Sequence, residues 1–162
     1  MNSSQGKYVL CVDSGNCISY QYVLSAIQMI QEGQCDIAHA SRKLPESAII
    51  KSQSLWRRVV SWILRKIIIH RLVPGELTDT QCGFKVYKGD IARELYAQSI
   101  CKGFLLDVEI IIRAVKYNYR IKEFPVAWSC DLDSRISLLK NLPLLLRELK
   151  IINILHRDMW RK

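Results

Sequence analysis

No run of ~18 uncharged apolar residues occurs in this sequence, so no transmembrane helix is expected. Six cysteines are present, at 11, 17, 35, 82, 101 and 130, but none forms a C-x-x-C pair. A zinc site draws its thiolates and imidazoles from close pairs, and this spacing offers none. Several of the cysteines sit inside apolar runs, as in Val9-Leu10-Cys11-Val12, and read as reduced thiols packed like small hydrophobes. Glycine (7) and proline (4) are too sparse for a collagen-like or low-complexity chain. The polar opening Met1-Asn2-Ser3-Ser4-Gln5-Gly6-Lys7 lacks the apolar stretch of a secretory signal, which points to a cytosolic protein. Walker, G-x-G-x-x-G and Ser-His-Asp patterns are absent, leaving ATPase, dinucleotide and hydrolase readings without support. His39, His70 and His156 stand alone in sequence and read as surface or core residues rather than ligands.

What is present is a 162-residue chain, one domain's length, with 49% hydrophobic residues and a net charge of +9. That composition supports a packed core, and the basic excess suits anionic lipids, nucleotides or nucleic acid. Lysine and arginine lie mainly on amphipathic helices, with no aromatic-interleaved patch, so no nucleic-acid partner is expected.

Strand and helix patterns alternate. Lys7 to Val12 reads as a buried strand that opens into a turn at Asp13. Ser19 is placed to cap a helix from about Tyr20 to Gln31, closed by Gly33. Asp36 to Ala40 is a second strand, and residues 43–52 read as a loop. From Ser54 to about Leu72, Trp56, Val59, Val60, Ile63 and Ile67 keep helical spacing until Pro74-Gly75. Cys82 to Tyr87 reads as a strand, and Asp90 to Ser99 and Leu105 to Tyr117 as helices. Tyr119 to Trp128 reads as one strand, with Pro125 placing it at an edge or ending its ladder. A last helix starts near Asn141-Leu142-Pro143 and runs to about Leu155. The order implies an α/β fold, a mixed sheet flanked by helices, in a single domain over residues 1–162.

Three polar clusters stand out, and in open α/β sheets ligands collect beyond the carboxyl ends of strands. Asp13 follows an apolar strand, and a carboxylate there suits either a divalent cation or the turn Asp-Ser-Gly-Asn itself. Thr78-Asp79-Thr80-Gln81-Cys82-Gly83-Phe84-Lys85 is the densest polar stretch, with Asp79 and Gln81 on one side of an extended backbone. Asp107 and Glu109 open an apolar helix, where negative charge is stabilising by itself. Asp107 is nonetheless flanked by Leu105, Leu106 and Val108, so it must face a cleft or be buried at a cost.

In this order, the clusters resemble the family 2 glycosyltransferases of GT-A fold, in the dolichyl-phosphate (polyprenyl-phosphate) glucosyl- and mannosyltransferase branch. The stretch from Thr78 to Lys85 matches that branch's signature nearly residue for residue. Ala40-Ser41-Arg42 resembles its Gly-Ser-Arg turn, and Phe104 to Glu109 its Phe-Asp-Val-Glu segment. Phe124-Pro125-Val126-Ala127-Trp128 resembles its Val-Pro-Val-x-Trp strand, with Ser134-Arg135 as the following Ser-basic pair. The resemblance implies a partial GT-A fold that moves a hexose from UDP-glucose or GDP-mannose to a polyprenyl phosphate at the cytoplasmic membrane face. It implies catalytic roles for Asp79, Gln81 and Asp107. Substrate binding would fall to Ser41, Arg42, Lys85, Glu109 and Arg135. Asp13 would carry Mg²⁺ or Mn²⁺ as the first carboxylate of a D-x-D motif. Arg57, Arg58 and Arg71 compete for a further family arginine.

Two departures bear on this. The D-x-D position reads Asp13-Ser14-Gly15, without the second carboxylate. The family also has roughly two βα units for base and ribose upstream, whereas Met1 to Gly6 precede the Asp13 strand here. The expectation is therefore a truncated chain that binds nucleotide sugar poorly alone, with a separate nucleotide-binding half or a homo-oligomer as partner. Trp56, Trp62, Ile67, Ile68 and Ile69 with Arg57, Arg58, Arg65, Lys66 and Arg71, and the last helix likewise, suit packing in the domain core, a peripheral membrane surface, or both. A non-catalytic remnant or interaction subunit on the same fold is the competing reading.

Overall fold

The computed structural model describes residues 1, 3–13, 17–51, 77–129 and 142–159, with the backbone alone for Lys51, Asp158 and Met159. Within them the chain runs β1 (Tyr8–Val12), α1 (Tyr22–Gln31), β2 (Ile37–Ser41), β3 (Ala48–Lys51), β4 (Phe84–Lys88), α2 (Gly89–Ala97), α3 (Leu106–Lys116), β5 (Ile121–Pro125), β6 (Ala127–Ser129) and α4 (Leu142–Met159). The helix expected from Ser54 to Leu72 lies outside the described residues, as do Arg57, Arg58, Arg71, Cys130 and Arg135.

Four strands form a mixed sheet in the order β1-β4-β2-β5. β4 is antiparallel to both neighbours, and β2 runs parallel to β5. The registers line side chains into rows that cross all four strands on one face, because register partners point the same way. Val9, Tyr87, Ile37 and Ile121 form one row. Two residues along, Cys11, Lys85, His39 and Glu123 form the next. The first row is apolar and packs with Ile91, Ala92 and Leu95 of α2 and Ile110 and Ala114 of α3. The opposite face carries Leu10, Val12, Phe84, Val86, Ala38, Ala40 and Phe124 against Ala26 and Ile30 of α1. Alternation along each strand thus gives one face mainly to a core, with Lys88 and Lys122 at its margin, and divides the other between core and polar groups.

Helix ends follow the local chemistry. Gly33 takes φ +72° after α1, and Asn118 takes φ 60° after α3; left-handed residues there end the helical hydrogen-bonding pattern. Ser19 accepts a hydrogen bond from the Gln21 amide at 3.4 Å, but the residue flanking α1 is Gln21, so Ser19 stands two residues outside the cap.

The expected strand from Tyr119 to Trp128 is two. β5 ends at Pro125 on the edge of the main sheet, as the missing proline donor requires. Val126 turns the chain, and β6 pairs in parallel with β3 in a separate two-stranded sheet. The segment read as loop over residues 43–52 therefore contains a strand, β3, whose partner lies far along the chain. α4 packs Leu145 and Ile152 against Leu105, Val108 and Ile112. Cys11, Cys17, Cys35, Cys82 and Cys101 are free thiols.

Candidate functional site

The polar row of the sheet and the residues just beyond it converge on the turn at Thr78–Asp79. Asp79 is buried, and its carboxylate meets the Arg42 guanidinium at two points: Nε donates to Oδ2 at 2.6 Å and Nη2 to Oδ1 at 2.9 Å. The Arg42 amide also donates to Oδ2, at 3.1 Å. Burial pushes the Asp79 carboxyl up, but the hydrogen bonds and charge of Arg42 outweigh it and hold the group at about 2. On Arg42, burial works against the charged form, and Asp79 more than offsets it, so the guanidinium is held more firmly protonated than usual. Arg42 lies over the Trp128 ring, 5.4 Å from its centroid, a cation–π contact that fixes the plane of the fork. Its Nη1 makes no hydrogen bond among the described residues.

The turn itself is gripped by the sheet. Ser41, fully buried, shares a 2.7 Å hydrogen bond with the Thr78 hydroxyl. Glu123 accepts from the Thr78 amide, the Thr78 hydroxyl and the Asp79 amide, each at 2.9 Å. His39 lies 2.6 Å from the Asp79 carbonyl through Nε2. A carbonyl only accepts, so Nε2 carries the proton. Burial first, and the nearby Lys85 charge second, push the imidazole down to about 3, so His39 is neutral across physiological pH. Gln81 reaches the other wall, donating from Nε2 to the Phe104 carbonyl at 3.3 Å.

Lys85 and Asp107 complete the site. Lys85 extends along the sheet, fully buried, donating to the Cys82 carbonyl at 2.8 Å and pairing with Asp107 Oδ1 at 2.8 Å. Asp107 keeps 27% of its side chain exposed, so the first turn of α3 presents it to a partly open position. Asp13 stands at the end of β1, its amide bonded to the Gly83 carbonyl. A Cβ on Gly83 would sit 1.9 Å from Asp13 Oδ2, so the missing side chain is what leaves room for that carboxylate. Burial raises the Asp13 pKa and Asp107 raises it further, against the opposing pull of Lys85 and Arg42. Asp13, Arg42, Asp79, Lys85 and Asp107 therefore form one electrostatic group.

Glu109 falls elsewhere. It is fully buried on α3, accepts from the Ile100 and Cys101 amides, and pairs with Arg113 at 2.7 Å. Together with Glu148 of α4, which accepts from the Lys102, Gly103 and Leu105 amides, it fixes the loop that leads into α3. Sequence reasoning missed His39, Glu123 and Glu148. The first two would have been found from the pairing of β2 with β4 and β5, in which His39 faces both Lys85 and Glu123.

The described residues contain no group of three or more His, Cys, Asp or Glu able to hold a metal ion. Asp13 and Asp107 still give the small carboxylate set that Mg²⁺ uses when substrate phosphates supply the other ligands.

No protein-family profile matches the chain. Curated proteins do. The chain is 29% identical over 130 residues to a dolichyl-phosphate beta-glucosyltransferase of Dictyostelium discoideum, covering 78% of this chain and 39% of that protein. It is 25% identical over 138 residues to a dolichyl-phosphate beta-glucosyltransferase of Saccharomyces cerevisiae, covering 76% and 40%. It is 21% identical over 140 residues to the glycosyltransferase AglD of Haloferax volcanii, covering 86% and 22%. The chain thus spans two fifths or less of the length of these relatives.

Proposed function

We propose, on the premise that the chain is a homologue of the family 2 polyprenyl-phosphate glycosyltransferases, that it takes part in moving a hexose from a nucleotide sugar to a polyprenyl phosphate. The observation that carries this reading is the two-point Arg42–Asp79 pair set beside Asp13, Lys85 and Asp107. UDP-glucose or GDP-mannose is the donor and dolichyl phosphate the acceptor. A phosphate oxygen of the lipid attacks the anomeric carbon. The bond from that carbon to the diphosphate oxygen breaks with its electron pair, and the configuration inverts.

The acceptor phosphate is anionic near neutral pH, so the reaction asks little of a general base. A carboxyl held at about 2 and engaged at both oxygens by Arg42 is a poor base, which suits Asp79 to orienting Arg42 rather than taking a proton. Arg42 Nη1 would bind a phosphate oxygen while Nε and Nη2 stay on Asp79. Lys85 and Arg42 would supply the positive charge that offsets the negative charge gathering on the leaving diphosphate. Asp13 and Asp107 would hold Mg²⁺ or Mn²⁺, which supplies charge neutralisation for the diphosphate. Ser41 fixes the Thr78 hydroxyl, and Gln81 spans to the Phe104 carbonyl beside the Asp107 helix.

The acceptor lies in a bilayer, and among the described residues no helix is long and apolar enough to cross one. α4 exposes Leu142, Leu144, Leu146 and Ile154 alongside Arg147, Lys150 and Arg157. That pattern supports an interfacial position on the cytoplasmic leaflet, with apolar side chains in the headgroup boundary and basic ones on anionic lipid.

The test is transfer from radiolabelled UDP-glucose or GDP-mannose to dolichyl phosphate in liposomes, with Mg²⁺ or Mn²⁺. Weak labelling from one donor is expected, in keeping with poor nucleotide-sugar binding by the chain alone, and is lost in Asp79→Asn. No labelled lipid from either donor, with no donor binding by calorimetry, overturns the reading and leaves an interaction subunit on the same fold.

A further inference from the structure

The backbone of Asp79 is held at both of its polar groups by side chains from two neighbouring strands. Its N–H goes to Glu123 Oε1 at 2.9 Å, and its C=O takes the Nε2–H of His39 at 2.6 Å. Glu123 Oε2 holds the preceding residue as well, through the Thr78 amide and hydroxyl. His39 and Glu123 are register partners on the parallel pair β2 and β5, so they stand side by side on one face. A free carboxylate accepts several hydrogen bonds, and here three donors converge on one, all from a single two-residue turn. The side chain of the same Asp79 then meets Arg42, which follows β2 directly.

We propose that Glu123 is a positioning residue for Asp79, with His39 as its counterpart across the turn: together they preset the Thr78–Asp79 peptide so that the Asp79 carboxylate meets Arg42 at two points. Neither residue reaches the reacting atoms. The arrangement is rigid because it rests on paired strands, and displacement of a positioned group by about 1 Å costs on the order of 100-fold in rate. His39 does this work uncharged, so the grip does not loosen across the physiological range. The inference deepens the transferase reading in what it says about rate, but the hydrogen bonds it concerns are measurable without any turnover.

Glu123→Gln in the full chain is the test. The amide is nearly isosteric and keeps one oxygen for Thr78, but it presents an N–H where the Asp79 N–H needs an acceptor. Amide hydrogen exchange is expected to speed up at least ~10-fold at Thr78 and Asp79 while the Lys102–Leu105 amides, held by Glu148, stay as protected as before. The carboxyl carbon of Asp79, followed by NMR, is expected to titrate above the wild-type value of about 2, toward 3.8. His39→Gln, a second variant, is expected to raise the same Asp79 titration. In the dolichyl-phosphate assay Glu123→Gln is expected to lower kcat by ~10- to 100-fold with KM for the nucleotide sugar little changed. Unchanged exchange at Thr78 and Asp79 together with an unmoved Asp79 titration overturns the proposal. Faster exchange and a raised titration in a chain that transfers no sugar sustain the positioning role and defeat the transferase reading instead. Should Glu123→Gln fail to fold, His39→Gln decides by the titration alone.

Discussion

Replacing Asp79 with asparagine removes one charge from a pair whose side chains are only 22% (Arg42) and 4% (Asp79) exposed. The shape is nearly kept, so the cost is electrostatic. Breaking a buried pair by deleting one partner costs about 3–5 kcal/mol. Partial exposure of the guanidinium lowers that, and we expect Asp79→Asn to lose about 2–3 kcal/mol in urea unfolding at pH 7. The carboxyl's own titration points the same way: Arg42 holds it below the usual 3.8, at about 2, a depression worth roughly 2–3 kcal/mol. The sign follows from linkage. The folded-state value is depressed, so this stabilisation is complete above about pH 5 and is lost as the pH falls through the ordinary carboxylate range toward 2. The variant's deficit should therefore be large at pH 7 and small at pH 2.5, and sugar transfer should be lost at pH 7. A deficit equal at both pH values, or below ~0.5 kcal/mol at pH 7, refutes the reasoning.

Gly83→Ala places a Cβ on top of the Asp13 carboxylate, which must swing away. Its titration should fall toward ordinary values by NMR, and transfer should drop at least ~10-fold with the fold intact by circular dichroism. Arg42→Lys gives up the fork and the stacking on Trp128, and is expected to lower transfer at least ~10-fold even though the charge remains. The rate should show no inflection near pH 6.5, because His39 titrates at about 3; one that disappears in His39→Gln would contradict its neutral state. Glu148→Ala strips three amides of their acceptor, with an expected loss of about 2–4 kcal/mol in urea unfolding.

Local pattern made much of this legible in sequence. The apolar run before Asp13, the alternation in Phe84–Lys88 and the helical spacing after Leu105 all state their structure within a few residues. The clustering of Asp13, Asp79 and Asp107 was legible only through motif order, because nothing local brings a strand end, a turn and a helix start together. β3 was hidden because four residues, Ala48-Ile49-Ile50-Lys51, carry too little pattern, and their partner strand is nearly eighty positions away. The break at Val126 was hidden for a related reason: alternation runs through it, and only the change of pairing partner reveals two strands. His39 and Glu123 look ordinary alone, and their meaning comes from strand register. Glu109 shows the converse. The resemblance implied a substrate-binding role for it, and its carboxylate accepts from two loop amides and pairs with Arg113.

The row Cys11–Lys85–His39–Glu123 also bears on how the chain finds its own fold. If β5 slid one position along β2, every side chain on it would trade faces, bringing Lys122 or Phe124 beside His39. A lysine there would point a donor at the donors of Thr78, and a phenylalanine would leave them dry and unanswered. The same groups that shape the pocket thus proofread the parallel pairing, and a misaligned sheet would announce itself by failing to close around Asp79.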